Sequence, residues 1–475
     1  MSRADLAALL PLLITALAPV ALLVVIAAAR SHGVALALTV FAVGEALAAI
    51  PGALAAAPRR VGPLLVVDGI ALFAAGLVLA ATLAVALLAQ RQLRREERPE
   101  EFYLLLLLAA AGAQVLAAAA HVASLVLGLE LLSTALYPLI AYRRPGPRGV
   151  EAGLKYLVLA VVAIATLLFG AALLYFEWGT LQLAALAAAF ARGPVPPLAT
   201  AGLALIVVGA GFKLSLVPMH LWAPDVFAAA PEPVSAFIAT ASKGAVAVLL
   251  LRLAAPDGAM TPPPVAALLA TLAVLSMLGG NLVALRQRDP RRMLAGSSIA
   301  HMGYLLVAVL AAGPRRVEAA AFYLVAYAAA TLAAFGALAL LRRRADGRAA
   351  GTELEGLARR RPFLASVLAI ALLSLAGLPL TGGFIGKVYL IGAGVEAGLS
   401  APVAALIAGS VLGLFYYVRP IVAMLAAPEA QVRHTSAAPP HGYAVLAALA
   451  AVLLWLGTAP APLQGLLRAL GPAGF

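Results

Sequence analysis

The sequence contains no cysteine. Iron–sulfur clusters held by thiolates and disulfide bonds are therefore excluded from this chain, although the absence says nothing about the cellular compartment. Charged residues are also scarce, at 11% of the chain, whereas about a quarter is usual in soluble domains. The six histidines are scattered, so we expect no metal site. No G-x-G-x-x-G motif follows a strand and no P-loop is present, so we expect no nucleotide site.

Apolar residues are correspondingly abundant, at 64% of the chain, and the mean hydropathy is +1.04. A helix needs about 20 apolar residues to cross the hydrocarbon core of a bilayer. Runs of that length recur from end to end, which predicts that the membrane surrounds nearly the whole protein. The first run, 6–29, lacks a strongly basic start and a clear cleavage site. We therefore expect a retained helix and not a signal peptide.

The apolar runs predict an all-α polytopic membrane protein with about 14 transmembrane helices. Because no long polar segment interrupts these runs, we expect a single membrane domain over residues 1–475. The predicted spans are 5–29, 33–57, 62–90, 101–120, 122–142, 151–176, 200–223, 233–253, 263–286, 293–312, 316–342, 362–392, 399–427 and 442–467.

The basic residues predict how the chain is oriented. The formal net charge of +13 would also suit a nucleic-acid partner, but most arginines fall in loops on one side of the predicted membrane. These are the loops after the first, third, fifth, ninth, eleventh and thirteenth spans. The positive-inside rule places that side in the cytoplasm, so both termini are expected in the periplasm and no nucleic acid is expected as a partner.

Lysine is rare, and its positions are informative. The four lysines, Lys155, Lys213, Lys243 and Lys387, all lie within predicted spans. Arginine stays charged in proteins, whereas a buried lysine can lose its proton, so lysine suits a site that binds and releases protons. Ionisable groups inside a bilayer are costly and are candidates for function. The alternative is a structural ion pair or a snorkelling side chain, and it applies most to Lys155, one turn from its helix start.

One carboxylate is placed to act on a lysine. Glu130 lies near the middle of the fifth span, and Lys213 lies at a similar depth in the seventh. A glutamate and a lysine on adjacent helices hold the lysine charged when they are close and let it release its proton when they separate. The alternative is a static ion pair that only fixes packing.

Two predicted spans are interrupted beside a lysine. Span 7 reads GAGFKLSLVPMHLWAPD, with Pro218 after Lys213, and span 12 reads SLAGLPLTGGFIGKVYL, with Pro379 before Lys387. Proline removes a backbone donor and clashes with the preceding turn, so both helices should break. Broken helices at membrane depth are tolerated where they line a cavity or are buried in protein. Such pairs are typical of inverted-repeat transporters.

The breaks predict two inverted repeats of five helices, spans 4–8 and 9–13. Span 10, LAGSSIAHMGYLLVAV, then places His301 roughly where Glu130 lies in the first repeat. A histidine there can relay a proton, and the alternative is a hydrogen-bonded core histidine. The predicted segments are an N-terminal three-helix segment at 1–95, a first repeat at 100–255, a second repeat at 260–428 and a C-terminal helix at 440–475.

Several long motifs resemble one known family. GFKLSLVPMHLWAPDVFAAAPEPVSAFIATASKGA resembles the central signature of subunit N of the proton-translocating NADH–quinone oxidoreductase, respiratory complex I, and of the wider antiporter-like subunit family. NLVALRQRDPRRMLAGSSIAHMGYLLVA, LLSLAGLPLTGGFIGKVYL, HVASLVLGLELLSTALYPLIA and EAGLKYLVLAVVAIATLLFG resemble further motifs of that family. Subunit M typically has a glutamate where this chain has Lys387. Subunit L typically continues into a long lateral helix, for which we expect 475 residues to leave no room. Both differences favour subunit N.

The resemblance implies a set of proton-path residues. The matching positions are Glu130, Lys213, Lys243 and Lys387, with Lys155 and His301 as accessory positions.

The resemblance also implies a function and partners. It implies a proton-translocating subunit of an NADH:quinone oxidoreductase in the bacterial inner membrane, working beside other membrane and peripheral subunits, antiporter-like sister subunits included. No redox centre is expected in this chain, because NADH, FMN, iron–sulfur clusters and quinone would be used by other subunits. The alternatives are a cation/proton antiporter subunit, a subunit of a membrane-bound hydrogenase or F420-type dehydrogenase, or a structural scaffold.

Two further acidic residues lie within predicted spans. Glu45, midway along span 2, matches no family motif, and we expect it to face a neighbouring subunit. Asp68, early in span 3, is expected to have a hydrogen-bonded structural role.

Overall fold

A computed structural model of the chain describes residues 2–94, 96–142, 147–192, 194–254, 262–313, 315–341, 354–426 and 440–470. The predicted segment boundaries at 95, 255, 260, 428 and 475 lie outside these ranges. So do several arginines behind the predicted orientation, among them Arg143, Arg144 and Arg433.

The described residues are almost entirely helical, which confirms the predicted all-α polytopic class. The N-terminal part contains α1 (Arg3–Ala28), α2 (His32–Ala48), α3 (Ile50–Ala56), β1 (Arg59–Val61), β2 (Leu65–Val67) and α4 (Gly69–Leu93). Next come α5 (Pro99–Ala117), α6 (Val122–Ile140), α7 (Pro147–Trp178), α8 (Leu183–Ala191), α9 (Pro197–Leu214), α10 (Ala223–Ala229), α11 (Glu232–Phe237), a π-helical segment (Ile238–Ser242) and α12 (Lys243–Leu253).

The second half repeats this pattern of long helices. It contains α13 (Pro263–Arg286), α14 (Pro290–Leu310), α15 (Arg315–Leu340), α16 (Leu357–Arg360), α17 (Pro362–Ala376), α18 (Gly382–Glu396), α19 (Ser400–Leu425), α20 (Pro440–Thr458) and α21 (Ala461–Leu470). Several helices in both halves begin with a proline in the first turn. A backbone donor has no helical partner there, so the missing N–H of proline loses no hydrogen bond.

In the described ranges, 13 helical segments are long and apolar enough to cross a membrane. The predicted span 12 is not among them, because it is split into α17 and α18, each of 15 residues. The count of about 14 therefore depends on whether this broken pair is taken as one crossing, and it stays a prediction.

One predicted helix start is wrong. Residues 62–67 were expected to belong to span 3, but the chain there forms an antiparallel hairpin in which Arg59 pairs with Val67 and Val61 with Leu65. Gly62, with a φ of 59°, allows the tight turn. Asp68 then caps α4 by accepting a hydrogen bond from the Ala71 amide at 2.9 Å, so the helix begins only at Gly69.

The core of the bundle lies along α11, α12, α14 and α15. The most apolar window of Glu232–Leu253 is completely buried, and 94% of the corresponding windows in α14 and α15 is buried. At the periphery, the continuous span His32–Ala56 has only 22% of its window buried. These helices are therefore packed on all sides, and Lys243 lies among them at the start of α12.

Two helix pairs pack in the same register. In α5 and α6, a Cβ on Gly112 would lie 2.5 Å from the Leu132 backbone nitrogen, and in α13 and α14 a Cβ on Gly280 would lie 2.5 Å from that of Ala300. Only glycine allows such close approach, as is common between membrane helices. In this shared register, residue 130 corresponds to residue 298 and residue 133 to residue 301.

Candidate functional site

The first candidate lysine lies at the end of a broken helix. α9 ends at Leu214, and Ser215 adopts the left-handed conformation with a φ of 61°. The amide of Leu216 donates to the Gly211 carbonyl at 2.8 Å, and the Trp222 indole donates to the Phe212 carbonyl at 3.1 Å. The predicted interruption of span 7 is thus present, and its freed carbonyls have partners inside the protein.

Lys213 is bound by hydroxyl groups. Its Nζ donates to Ser133 Oγ at 2.5 Å and to the Tyr156 hydroxyl at 3.0 Å, and it lies 5.0 Å from the centre of the Tyr156 ring. The residue is buried, with 6% exposure. A small, otherwise largely apolar cavity is lined by Glu130, Ser133 and Lys213 together.

The predicted contact between Glu130 and Lys213 is not an ion pair in this structure. Glu130 is partly buried and faces the same cavity, yet the polar contacts of the lysine go to the two hydroxyls. In these two described residues the ion pair expected of a static packing contact is therefore absent.

Lys243 lies at the most buried point of the bundle. It is completely buried and begins α12, directly after the π-helical segment Ile238–Ser242. π-helical turns within α-helices often occur at functional sites. Nζ donates to Ser298 Oγ at 2.7 Å and lies 5.6 Å from the centre of the Phe227 ring. The Tyr327 hydroxyl also donates to Ser298 Oγ, at 2.8 Å.

His301 is enclosed by tyrosines. Its Nδ1 is 2.7 Å from the Tyr323 hydroxyl, and its Nε2 is 3.1 Å from the Tyr417 hydroxyl. The rings of Tyr304 and Tyr327 lie with their centres 5.3 and 5.1 Å from that of the imidazole. In the shared register of the two helix pairs, Ser298 is the counterpart of Glu130, and His301 is the counterpart of Ser133. His301 therefore lies one helical turn from the position predicted for it.

Lys387 lies beside the break in the second interrupted helix. α17 ends at Ala376, Gly377 follows with a φ of 84°, and α18 begins at Gly382. Lys387 Nζ donates to the carbonyls of Leu375 at 3.0 Å and Ala376 at 2.8 Å. The buried amine therefore satisfies carbonyls that the helix end leaves free, where a positive charge is also favoured by the helix dipole.

Lys155 differs from the other three lysines. Its side chain is 50% exposed and pairs with Glu151 at 2.7 Å and Asp225 at 3.6 Å. Asp225 in turn pairs with Arg292 at 2.7 Å. This geometry favours the structural alternative that the sequence left open for Lys155.

The buried lysines are separated by aromatic rings. The centres of the Tyr156 and Trp222 rings are 4.7 Å apart, and those of Trp222 and Phe227 are 6.3 Å apart. Tyr156 lies against Lys213 and Phe227 against Lys243, so a largely apolar barrier divides the two amines.

The sequence did not predict the hydroxyl groups that surround Lys213, Lys243 and His301. Ser133, Ser298, Tyr327 and Tyr417 carried no distinguishing signal, because hydroxyl residues occur in most of the spans. It also missed a buried ion pair in which Arg291 Nε lies 2.8 Å from Glu232. Asp68 was correctly expected to be structural: it caps α4 and accepts two hydrogen bonds from Arg252, at 2.7 and 2.9 Å.

Known proteins are similar over almost the whole chain. NADH-quinone oxidoreductase subunit N from Ectopseudomonas mendocina is 44% identical over 472 residues, covering 97% of this chain and 95% of the relative. The protein of the same name from Chromohalobacter salexigens is 45% identical over 465 residues, covering 97% and 98%. A chain in the structure of respiratory complex I from Thermus thermophilus with bound aureothin is 36% identical, with a TM-score of 0.84, and covers 98% of this chain and 100% of that chain.

The helix bundle, its two broken helices and its buried amines define a class, the antiporter-like polytopic membrane proteins. Residues 119–413 match the family described as NADH:quinone oxidoreductase/Mrp antiporter, TM. The chain belongs to this family and, within it, to the subunit N group of NADH–quinone oxidoreductases. The resemblance stated from the sequence motifs is thereby confirmed.

Proposed function

We propose that the chain translocates protons as the N subunit of an NADH–quinone oxidoreductase, and that protons pass along its buried amines. Glu130 and Lys213 form the first station, Lys243 the second, and His301 and Lys387 the last. Lys155, proposed from the family as an accessory position, is assigned instead to a surface ion pair.

The nature of the partners of the amines supports this proposal. In the described part of the chain, the polar contacts of Lys213, Lys243 and Lys387 are all with hydroxyl or carbonyl oxygens, and none is an ion pair with a carboxylate. A carboxylate would hold the ammonium charged, whereas neutral partners leave an amine able to give up its proton. This chemistry needs lysine, because a guanidinium does not release its proton.

Hydroxyl groups extend the path between the amines. Lys243 and Tyr327 meet at Ser298, the Tyr327 ring lies against His301, and His301 contacts Tyr323 and Tyr417. Hydroxyl groups both donate and accept, so they can pass a proton without being ionised for long. The apolar barrier at Trp222 and Phe227 must be crossed by water that enters during turnover.

The redox chemistry belongs to partner subunits in this proposal. NADH, FMN, iron–sulfur clusters and quinone would act there, and their energy would reach Lys213 through conformational or electrostatic coupling. We place the chain in the bacterial inner membrane with both termini in the periplasm. We also keep the proposed division into two inverted repeats, which the matching registers of α5–α6 and α13–α14 support.

The Ser298 contact provides a test of the path. We expect Ser298→Ala to lower NADH-driven proton uptake by the intact complex in vesicles about tenfold, since a hydrogen bond to a charged group is worth about 1.5 kcal/mol or more. Tyr327→Phe should act in the same direction, because it removes the second contact to Ser298. Assembly on native gels should stay normal.

Tyr175→Phe is the matched control, because Tyr175 is 56% exposed on α7. Normal proton uptake by both Ser298→Ala and Tyr327→Phe would remove these hydroxyls from the path.

A further inference from the structure

An acidic side chain stands on the outer surface of the bundle at membrane depth. Glu45 belongs to α2, near the middle of the apolar span His32–Ala56, and it is exposed. Among the residues that the structure describes, its carboxylate has no hydrogen-bonding or ion-pair partner. It therefore differs from Asp68, which caps α4 and pairs with Arg252 within the protein.

The surface around Glu45 is apolar and open to close approach by another helix. Phe41 and Val34, on the same side of α2, are 66% and 45% exposed. A Cβ on Gly44 or on Gly52 would meet no atom within 4 Å. Of the 13 candidate spans, this one has the smallest buried share, at 22%. We call the exposed face formed by Val34, Phe41, Gly44, Glu45, Ala48 and Gly52 the Glu45 face.

A bare carboxylate is expensive in hydrocarbon, so such residues normally face a protein partner or a hydrated cavity. The Glu45 face also presents small residues one helical turn apart, which let another helix approach closely in a membrane. The face lies outside residues 119–413, the part matched by the family. It thus carries none of the residues of the proposed proton path.

We propose that the Glu45 face is the docking surface for a transmembrane helix of a neighbouring membrane subunit, which places a lysine, arginine or histidine opposite Glu45. The negative charge selects a cationic partner, and a buried contact of this type fixes register between helices by excluding unpaired charge. The proposal concerns assembly and does not depend on the proton path through Lys213 and Lys243.

The test uses the whole complex in native membranes. A photoreactive amino acid at Ala48 should cross-link to one membrane subunit, and the same probe at Val161, which is 53% exposed on α7, serves as the comparison position. Glu45→Lys should lower the amount of intact complex on native gels about tenfold or more, because like charges placed against each other across an interface repel. Glu45→Gln should reduce it less, since the amide keeps the shape.

Glu45→Leu distinguishes a face covered by a protein partner from a face covered by lipid. A lipid-facing carboxylate would be replaced by leucine without loss, so the complex would form at least as well as with glutamate. Normal assembly of Glu45→Leu and Glu45→Lys, with only lipid adducts from the Ala48 probe, would overturn the proposal. Loss of assembly in both variants, with restoration of the Glu45→Lys complex by an acidic substitution at the cross-linked position of the partner, would support it.

Discussion

Glu130→Ala and Lys213→Ala should each lower NADH-driven proton uptake by about 100-fold or more, the range expected when a group that transfers protons is removed. The two side chains line one cavity, and Lys213 is held there by hydroxyls and not by the carboxylate. Without Glu130, the cavity loses the carboxylate that draws a proton to this amine. Without Lys213, the titrating group itself is missing. Both variants should insert and assemble normally.

The double variant should be little worse than the poorer single variant. Residues that act as one unit are strongly non-additive, so the cycle measures whether Glu130 and Lys213 form a switch. Glu151→Ala is the matched control, because Glu151 is 60% exposed and pairs only with Lys155 in the contacts described. Additive losses, or full activity in either single variant, would mean that the two residues act independently.

Lys387→Arg should abolish most proton uptake while leaving the complex assembled. A guanidinium can still donate to the Leu375 and Ala376 carbonyls, so the end of α17 keeps its partner and its favourable charge. It cannot release the proton, and we expect a loss of about 100-fold on the same grounds of proton transfer.

Lys387→Met separates the structural role from the proton path. Methionine leaves both carbonyls without the amine, so this variant should assemble less well than Lys387→Arg. Proton uptake at the wild-type rate in Lys387→Arg would assign Lys387 to a helix cap alone.

The positions of the helices were largely predictable, because each apolar run needs its own length to cross the bilayer and proline marks many of the starts. The hairpin before α4 was not, since Leu65, Val66 and Val67 are as apolar as the helix that follows. The capping contact of Asp68 marks where that helix begins. Apolar character gives the membrane depth of a segment and not its backbone conformation.

The candidate site was predictable in its amines and not in its geometry. The rarity of lysine, and the breaks beside Lys213 and Lys387, indicated the proposed stations, but the same rarity also indicated Lys155, which lies in a surface ion pair. That Glu130 and Lys213 share a cavity without an ion pair depends on helix rotation and on where Ser133 faces. The pattern of one helix does not specify those features. For the same reason, Ser298 was not expected to meet Lys243.

The most direct test of the proton path compares Lys243→Arg with Lys155→Arg, using proton uptake by vesicles that contain the intact complex after NADH is added. Lys243 is completely buried and bound to Ser298, whereas Lys155 is half exposed and bound to carboxylates. We expect Lys243→Arg to assemble but to lose proton uptake by about 100-fold, because arginine keeps its proton, and Lys155→Arg to stay at the wild-type rate. Wild-type uptake by an assembled Lys243→Arg complex would contradict a proton path through Lys243.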